Sequence, residues 1–207
     1  MEKVLKVWRQ GARALALKDP RLAPVIAAVG PPTIELIADP YEALVSSILS
    51  QQLSGASADA ILKKFRALHP PFPGPEQVRR FRLARLRSAG LSRQKAEYLG
   101  SLTEHWKKFP KRKADWDRFS DEEIRLLLTE VKGIGDWTAH MFLIFCLGRG
   151  NVLPIGDYGV QKGVQLLFGL PALPKPKQVA ECVAHWQGHY SVGAWYLWRG
   201  LDRKLIR

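Results

Sequence analysis

A short turn in the second half of the sequence carries residue types that could hold an anionic ligand. Between two stretches with helical spacing, the segment 128–139 contains Gly133-Ile134-Gly135. Glycine adopts positive φ and lets another molecule approach the backbone, and we expect both glycines of this turn to have positive φ. A new helix through Thr138 would expose amides at its N-terminus, where amides and the helix dipole together bind phosphate. Ile134 would anchor the turn in the core, and the two glycines have no side chain that could contact a ligand. We therefore predict a phosphate contact that is made mainly by the backbone.

An ordinary tight connection between two helices is the alternative interpretation, since a Gly-x-Gly sequence alone is weak evidence. The longer pattern is more specific. Val131 precedes the two glycines, and a two-residue spacer leads to Thr138-Ala139 and the apolar pair Met141-Phe142. This full pattern resembles the helix-hairpin-helix motif, which binds DNA independently of base sequence through backbone contacts to phosphate.

A carboxylate, Asp157, follows the hairpin after a loop rich in glycine and proline, within the segment 153–161. Aspartate is a good N-cap, and helical spacing begins directly after it. One expected role of Asp157 is therefore structural, at the start of the next helix.

The elements that must position these groups are helices. Apolar residues recur at three-to-four spacing almost throughout, without alternating runs, which predicts an all-α fold. Helix starts are marked by caps at Asp39 and Ser92 and by a capping box that begins at Ser120. Two proline-rich segments, 69–75 and 170–176, are expected to be surface loops.

The composition limits the choice of partner. The chain has 207 residues, of which 46% are apolar, so it can bury a substantial core. It carries 32 Lys and Arg against 19 Asp and Glu, a formal net charge of +13. This imbalance favours a polyanionic partner, either nucleic acid or an anionic membrane surface. The N-terminus lacks a long apolar run, so neither a signal peptide nor a transmembrane span is predicted.

Metal and disulfide chemistry are not expected. The two cysteines, Cys146 and Cys182, form no CxxC pair, and two cysteines cannot hold an Fe–S cluster. A disulfide framework is also not expected, which fits a reducing cytoplasm. Cys182, His185 and His189 share helical spacing, but Gly188 interrupts them and no fourth ligand is evident. We therefore predict no zinc site.

Together these motifs resemble the helix-hairpin-helix (HhH-GPD) DNA glycosylase superfamily, whose pattern is this hairpin, a Gly/Pro-rich loop and an aspartate. The best match is to the 3-methyladenine DNA glycosylase II (AlkA) type, from Ala38 to Leu201. Three further stretches carry the resemblance: Tyr41 to Ser54, which ends Ser50-Gln51-Gln52-Leu53-Ser54; Gly90-Leu91-Ser92-Arg93-Gln94-Lys95-Ala96; and Trp195-Tyr196-Leu197-Trp198-Arg199.

The resemblance implies a fold of two helical lobes with the active-site cleft between them. The whole chain, 1–207, would form one glycosylase unit. A central lobe would span 41–150 and carry the hairpin at 128–139. A second lobe would combine 1–40 with 151–207.

The resemblance also implies that Asp157 is the catalytic carboxylate in cutting a damaged base from its sugar. Positive charge builds on the sugar in such a reaction. A fixed carboxylate can stabilise that charge, or orient or deprotonate the attacking water. Bifunctional relatives carry a nucleophilic lysine two residues after the Gly-x-Gly, where this chain has Trp137. No Schiff base is therefore expected, which implies a monofunctional enzyme without a cofactor.

Aromatic residues are implied in the pocket that receives the flipped base. Trp137 and Trp198 match such positions, and aromatic faces attract a cationic alkylated purine, although tryptophans at helical spacing are often core residues. Met141 stands at a pocket position where some relatives have tyrosine. Gln52, with Leu53 beside it, matches the residue that fills the gap left by the flipped base, although an ordinary helix C-terminus would also explain both.

The expected partner is double-stranded DNA containing damaged bases, bound by a monomer without membrane association. The expected location is a bacterial cytoplasm and nucleoid, or a eukaryotic nucleus. His189-Tyr190 replaces an aromatic–arginine pair that many relatives have. Two alternatives stay open: a non-catalytic helix-hairpin-helix DNA-binding protein, and a glycosylase of the same superfamily for another damaged base.

Overall fold

Every regular element that the computed structural model describes, in residues 2–53 and 55–206, is helical. The all-α prediction is therefore confirmed. Ser54, the last residue of the stretch 41–54, lies outside the described residues. The α-helices are α1 (Glu2–Lys18), α2 (Ala23–Val29), α3 (Pro40–Ser50), α4 (Gly55–Ala67), α5 (Pro75–Arg80), α6 (Leu83–Ser88), α7 (Arg93–His105), α8 (Asp121–Thr129), α9 (Asp136–Phe142), α10 (Tyr158–Leu167), α11 (Pro176–Cys182) and α12 (Tyr190–Asp202).

Shorter helical turns connect some of these helices. Three are 3₁₀ turns and one is π-helical: Trp106–Lys108, Lys113–Trp116, Ala184–Trp186 and the π-helical Leu143–Leu147.

The predicted caps are present. The Asp39 carboxylate accepts a hydrogen bond from the Glu42 amide at 2.7 Å, at the start of α3. The Ser92 hydroxyl caps α7. Ser120 and Glu123 form a reciprocal capping box at the start of α8. These side chains satisfy amides that have no acceptor in a preceding turn, so local sequence fixes where these helices begin.

The helices form two compact units. The first comprises residues 37–142 and the second combines residues 2–36 with 143–206. The boundaries expected from the sequence, at 40/41 and 150/151, differ from this division. Residues after Phe142 belong with the N-terminal helix, and one of the contacts that joins them is a hydrogen bond from the Trp8 indole to the Gly148 carbonyl at 3.2 Å.

In the unit 37–142, helix α3 is central and packs against α4, α7 and α9. Its apolar side chains Leu44, Ile48 and Leu49 have no exposed surface. The Tyr41 hydroxyl of α3 is hydrogen-bonded to the Thr103 hydroxyl of α7 at 2.9 Å, and burial raises the pKa of Tyr41 to about 12. This packing fixes the C-terminal end of α3 relative to α7 and α9.

In the other unit, helix α12 packs against α1, α2 and α10. Trp8, Trp186 and Tyr196 are fully buried around it. A Cβ on Gly163 of α10 would lie 2.8 Å from Leu197 Cβ of α12, which is closer than real contacts allow. Glycine at this position therefore lets α10 and α12 approach closely.

The same unit contains a buried carboxylate, Asp19, which has no exposed surface. Its Oδ2 accepts hydrogen bonds from His185 and from the Trp186 indole, each at 2.8 Å. Burial by itself raises the pKa of Asp19, but these bonds and those from the backbone amides of Arg21 and Leu22 outweigh burial and leave its pKa below the ordinary value.

We expect Asp19→Asn to lower the free energy of unfolding by about 2 kcal/mol at neutral pH, because charge-assisted hydrogen bonds are lost in a buried site. Since the folded-state pKa is depressed, this contribution is complete above the ordinary value of 3.8 and is lost as pH falls through the lower folded value. Urea unfolding between pH 3 and pH 7 measures the difference.

The matched control is Asp202→Asn, which removes an exposed carboxylate of the same unit that pairs with Arg199 at 3.3 Å. Its effect should be within about 0.5 kcal/mol at every pH. An Asp19→Asn protein as stable as the control at pH 7 would contradict the assigned role.

Candidate functional site

The predicted hairpin lies between α8, which ends at Thr129, and α9, which begins at Asp136. Gly133 has a φ of +94°, as expected. A Cβ at this position would also lie 2.1 Å from Cγ of the Tyr98 ring. Both the backbone conformation and the aromatic ring beneath it therefore require glycine at position 133.

Gly135 does not have a positive φ, so the expectation of positive φ at both glycines is wrong at this position. Its carbonyl accepts the first hydrogen bond of α9, from the Ala139 amide at 3.1 Å, which places Gly135 at the cap of the helix. In residues 2–53 and 55–206, no atom beyond its chain neighbours lies within 4 Å of a Cβ built on Gly135. Among the described residues, packing therefore does not exclude a side chain at position 135.

Two buried side chains fix the hairpin. Ile134 is 4% exposed, so it anchors the turn in the core. Thr138 is 1% exposed, and its hydroxyl accepts a hydrogen bond from Gln51 Nε2 at 3.0 Å. The same Gln51 amide donates to the Gly133 carbonyl at 2.8 Å. The Thr138 side chain therefore holds the hairpin from inside.

A cavity of about 310 Å³ opens beside the hairpin. It is lined by residues from the end of α3 and from the start of α9: Gln51, Gln52, Gly135, Trp137 and Thr138. The structure therefore brings together four residues that were singled out in separate parts of the sequence. Leu53 is 39% exposed next to them, whereas Met141 is 8% exposed and lies in the core.

An ion pair moderates the charge at the start of α9. Asp136 is the first residue of this helix, and its carboxylate lies 2.6 Å from Arg125 Nη1. Arg125 also pairs with Glu122 at 2.7 Å, and the hydrogen bonds to Glu122 and Asp136 raise the pKa of the guanidinium. The arginine therefore offsets part of the negative charge at the start of α9.

Asp157 precedes α10 and serves as its N-cap, as predicted. Its Oδ1 accepts a hydrogen bond from the Val160 amide at 2.8 Å. The indole Nε1 of Trp198 donates to the same oxygen, also at 2.8 Å. Two donors on two different helices therefore fix the orientation of this half-buried carboxylate.

Trp198 reaches Asp157 through a local arrangement that the sequence analysis did not identify. Its ring packs against Phe145, with centroids 5.6 Å apart and planes inclined at 30°. A Cβ on Gly159 would lie 2.8 Å from Trp198 Cδ1 and 3.1 Å from Asp157 Oδ1. Glycine at position 159 therefore leaves the space in which the indole meets the carboxylate.

The residues considered for metal binding are arranged differently. His185 is bonded to Asp19 rather than turned toward Cys182. In the part of the chain that the structure describes, no three His, Cys, Asp or Glu residues form a group that could hold a metal ion. No helix among the described residues is long and apolar enough to cross a membrane.

These features are those of a known class of repair proteins. A family model, HhH-GPD superfamily base excision DNA repair protein, matches residues 45–187 of the chain. The protein belongs to this superfamily, which confirms the resemblance that the motifs indicated.

Individual relatives agree with this assignment. The chain is 35% identical over 164 residues to DNA-3-methyladenine glycosylase 1 of Schizosaccharomyces pombe, which covers 78% of this chain and 72% of the relative. The solved structure of a 3-methyladenine DNA glycosylase of the same yeast with abasic DNA has a TM-score of 0.88 at 31% identity, over 93% of this chain and 97% of that chain. A DNA-3-methyladenine glycosidase from Bacillus halodurans has a TM-score of 0.78 at 32% identity, over 94% and 90%.

Sequence reasoning did not assign a role to Gln51, Lys95 or Gly159. Gln51 and Lys95 lie within stretches that carried the resemblance, so their positions were marked but their contacts were not. Lys95 Nζ donates to the carbonyls of Leu49 and Gln51 at 2.6 and 3.0 Å, across more than forty residues of sequence. No local pattern indicates such a contact.

The two hairpin glycines should respond differently to substitution. We expect Gly133→Ala to lower the free energy of unfolding by roughly 2 kcal/mol or more, because of positive φ and the clash with Tyr98. Gly135→Ala should cost about 1 kcal/mol or less in stability. It should weaken binding to duplex DNA about tenfold or more, which is the scale of one lost hydrogen bond to a charged group.

Denaturant unfolding and fluorescence anisotropy with a labelled duplex separate the two effects. Gly100→Ala is a suitable control, because no described atom outside the backbone of α7 lies within 4 Å of its Cβ position. Normal DNA affinity in a folded Gly135→Ala protein would mean that the hairpin is only a turn between helices.

Proposed function

We propose that the protein is a monofunctional DNA glycosylase of base excision repair. It hydrolyses the N-glycosidic bond of alkylated purines, of the 3-methyladenine and 7-methylguanine class, flipped from duplex DNA. The observation that carries this proposal is the Asp157 carboxylate, which Trp198 and Val160 hold in one orientation. The names of the relatives, and the abasic DNA bound to one of them, support the same reaction.

The reaction requires a group that stabilises the positive charge that develops on the sugar. The bond between C1′ and the base nitrogen breaks, and its electron pair leaves with the base. The sugar becomes cationic in the transition state, and water then adds to C1′ and releases a proton. Asp157 stabilises this cation as a fixed carboxylate and orients the incoming water. An alkylated purine that is already cationic leaves as a neutral base, so no general acid is needed.

The damaged base is recognised after it has left the stack. Trp137 lines the cavity beside the hairpin and offers an aromatic surface to a cationic purine. Gln52 lines the same cavity and fills the gap in the duplex. Trp198 acts mainly through its hydrogen bond to Asp157, since its ring packs on Phe145. Met141 supports the pocket from the core.

Duplex DNA containing damaged bases is the proposed partner. The hairpin backbone holds a phosphate, and Ile134 and Thr138 keep that backbone in place. The net charge of +13 adds attraction that does not depend on base sequence. The enzyme acts as a monomer without a cofactor, in the bacterial cytoplasm and nucleoid or the eukaryotic nucleus.

Release of free bases from alkylated DNA tests the activity directly. Chromatography of the products from methylated duplex should show 3-methyladenine or 7-methylguanine with the wild-type protein. Asp157→Asn keeps an oxygen for Trp198 and Val160 but removes the charge. We expect it to lower the single-turnover rate about a hundredfold or more while folding and DNA affinity stay nearly unchanged.

Asp202→Asn again serves as the surface control and should excise at the wild-type rate. If Asp157→Asn matches that control, the catalytic assignment is wrong. If the wild-type protein binds duplex but releases no base, it is a non-catalytic DNA-binding member of the superfamily. Release of a different damaged base would reassign the substrate and keep the reaction.

The product should be an intact abasic strand. Trp137 occupies the position where bifunctional relatives carry the lysine nucleophile, so no imine forms. Borohydride added during turnover should trap no covalent protein–DNA adduct, while a lysine-bearing bifunctional glycosylase gives one under the same conditions. A substantial adduct with this protein would overturn its monofunctional assignment.

A further inference from the structure

A strained β-turn, Ser50–Leu53, begins at the last residue of α3. The Leu53 amide donates to the Ser50 carbonyl at 3.2 Å. Gln51 has φ −51° and ψ 132°, and Gln52 has φ +57°. These values are those of a type II turn, whose third position normally requires glycine or asparagine. Glutamine occupies that position here, so the surrounding structure must impose the conformation.

Two side chains impose it, Lys95 from helix α7 and Gln51 from the turn itself. Lys95 Nζ donates to the carbonyls of Leu49 and Gln51 at 2.6 and 3.0 Å. The Gln51 amide donates to the Gly133 carbonyl at 2.8 Å and to the Thr138 hydroxyl at 3.0 Å. The first pair of bonds ties the turn to α7, and the second ties it to the hairpin.

We propose that Lys95 and Gln51 are positioning residues for base excision, which hold the strained Ser50–Leu53 turn against the hairpin and so present Gln52 to the gap in the duplex. The inference rests on the proposed function. It assigns neither residue a contact with the substrate. It explains why the Gly-Leu-Ser-x-x-Lys segment carries a lysine: Gly90 and Ser92 set the start of α7, and Lys95 then reaches the end of α3.

Two other roles of Lys95 predict different behaviour. A phosphate contact would use its charge in every DNA complex, but two of its three donors are already bonded to carbonyls, and burial lowers its pKa. A purely structural cap of α3 would affect stability alone, because lysine near a helix C-terminus bonds the last carbonyls. The experiment therefore has to separate positioning from both.

A double-mutant cycle makes this separation. Lys95→Met, Gln52→Gly and the double variant are compared in single-turnover excision, well below their unfolding temperatures. Gln52→Gly removes the side chain that is proposed to fill the gap in the duplex, and it relaxes the strained turn. We expect each single variant to lower the rate about tenfold and the double variant to be no slower than Gln52→Gly, because Lys95 acts through Gln52. Losses that multiply, or a Lys95→Met rate equal to wild type, would overturn the proposal.

Binding gives an independent readout. Lys95→Met should weaken affinity for a duplex with a stable abasic analogue about tenfold and leave plain duplex unchanged. A different result would be an equal loss of affinity for both duplexes, with the slope of log affinity against log salt reduced by about the contribution of one phosphate. That result would identify a phosphate contact instead and overturn the proposal. Lys64→Met, at an exposed position of α4, controls for loss of one positive charge. Lys95→Arg keeps donors and should restore part of the discrimination.

If Lys95→Met does not fold, Gln51→Ala and Thr138→Val repeat the cycle from the hairpin side, and the same non-additivity with Gln52→Gly is expected. The binding readout does not depend on catalysis. A protein that releases no base but loses abasic discrimination in Lys95→Met would contradict the proposed function and retain the positioning role. If the wild-type protein releases bases and Lys95→Met keeps the preference for abasic over plain duplex, the proposed function stands and the positioning role is wrong.

Discussion

A peptide backbone that binds a phosphate has to stay uncovered and yet keep one conformation, and the hairpin at residues 133–135 satisfies both conditions. Its own side chains contribute little on the exposed side, because two of the three residues are glycines. Rigidity comes from beneath, where Tyr98 lies against Gly133 and Ile134 enters the core. The Gln51 amide adds two hydrogen bonds from the turn that follows α3. The remainder of the unit 37–142 serves to bring these supports to one place.

The same principle applies to the carboxylate in the other unit. Asp157 is an ordinary N-cap and also the proposed catalytic group, and the two roles are compatible because both need a side-chain oxygen held in one orientation. The Trp198 bond adds a second restraint that the cap alone does not provide. That bond depends on the close packing of α10 on α12, which small residues at 159 and 163 permit. Helix packing therefore sets the orientation of the proposed catalytic carboxylate.

Residues that the sequence placed in one class have different roles in the structure. Trp137 and Trp198 were both expected to line a pocket, but only Trp137 lines the cavity beside the hairpin. The indole N–H of Trp198 instead donates a hydrogen bond to Asp157. Gly133 and Gly135 differ as well, since the positive φ and the Tyr98 ring require glycine at 133, whereas no contact among the described residues requires it at 135. Residue type alone did not distinguish these cases, because the difference lies in which atoms of the fold surround each residue.

Several features could be predicted from the sequence alone: the helical class, the capped starts of α3, α7 and α8, the hairpin and the position of the aspartate that follows it. These features depend on local spacing and on hydrogen bonds within three or four residues, which a sequence displays directly. Two contacts are evident only from the fold: Lys95 bonds to the end of α3, and Trp198 bonds to Asp157. Such partners lie more than forty residues apart, and their meeting depends on how whole helices pack, which no local periodicity encodes.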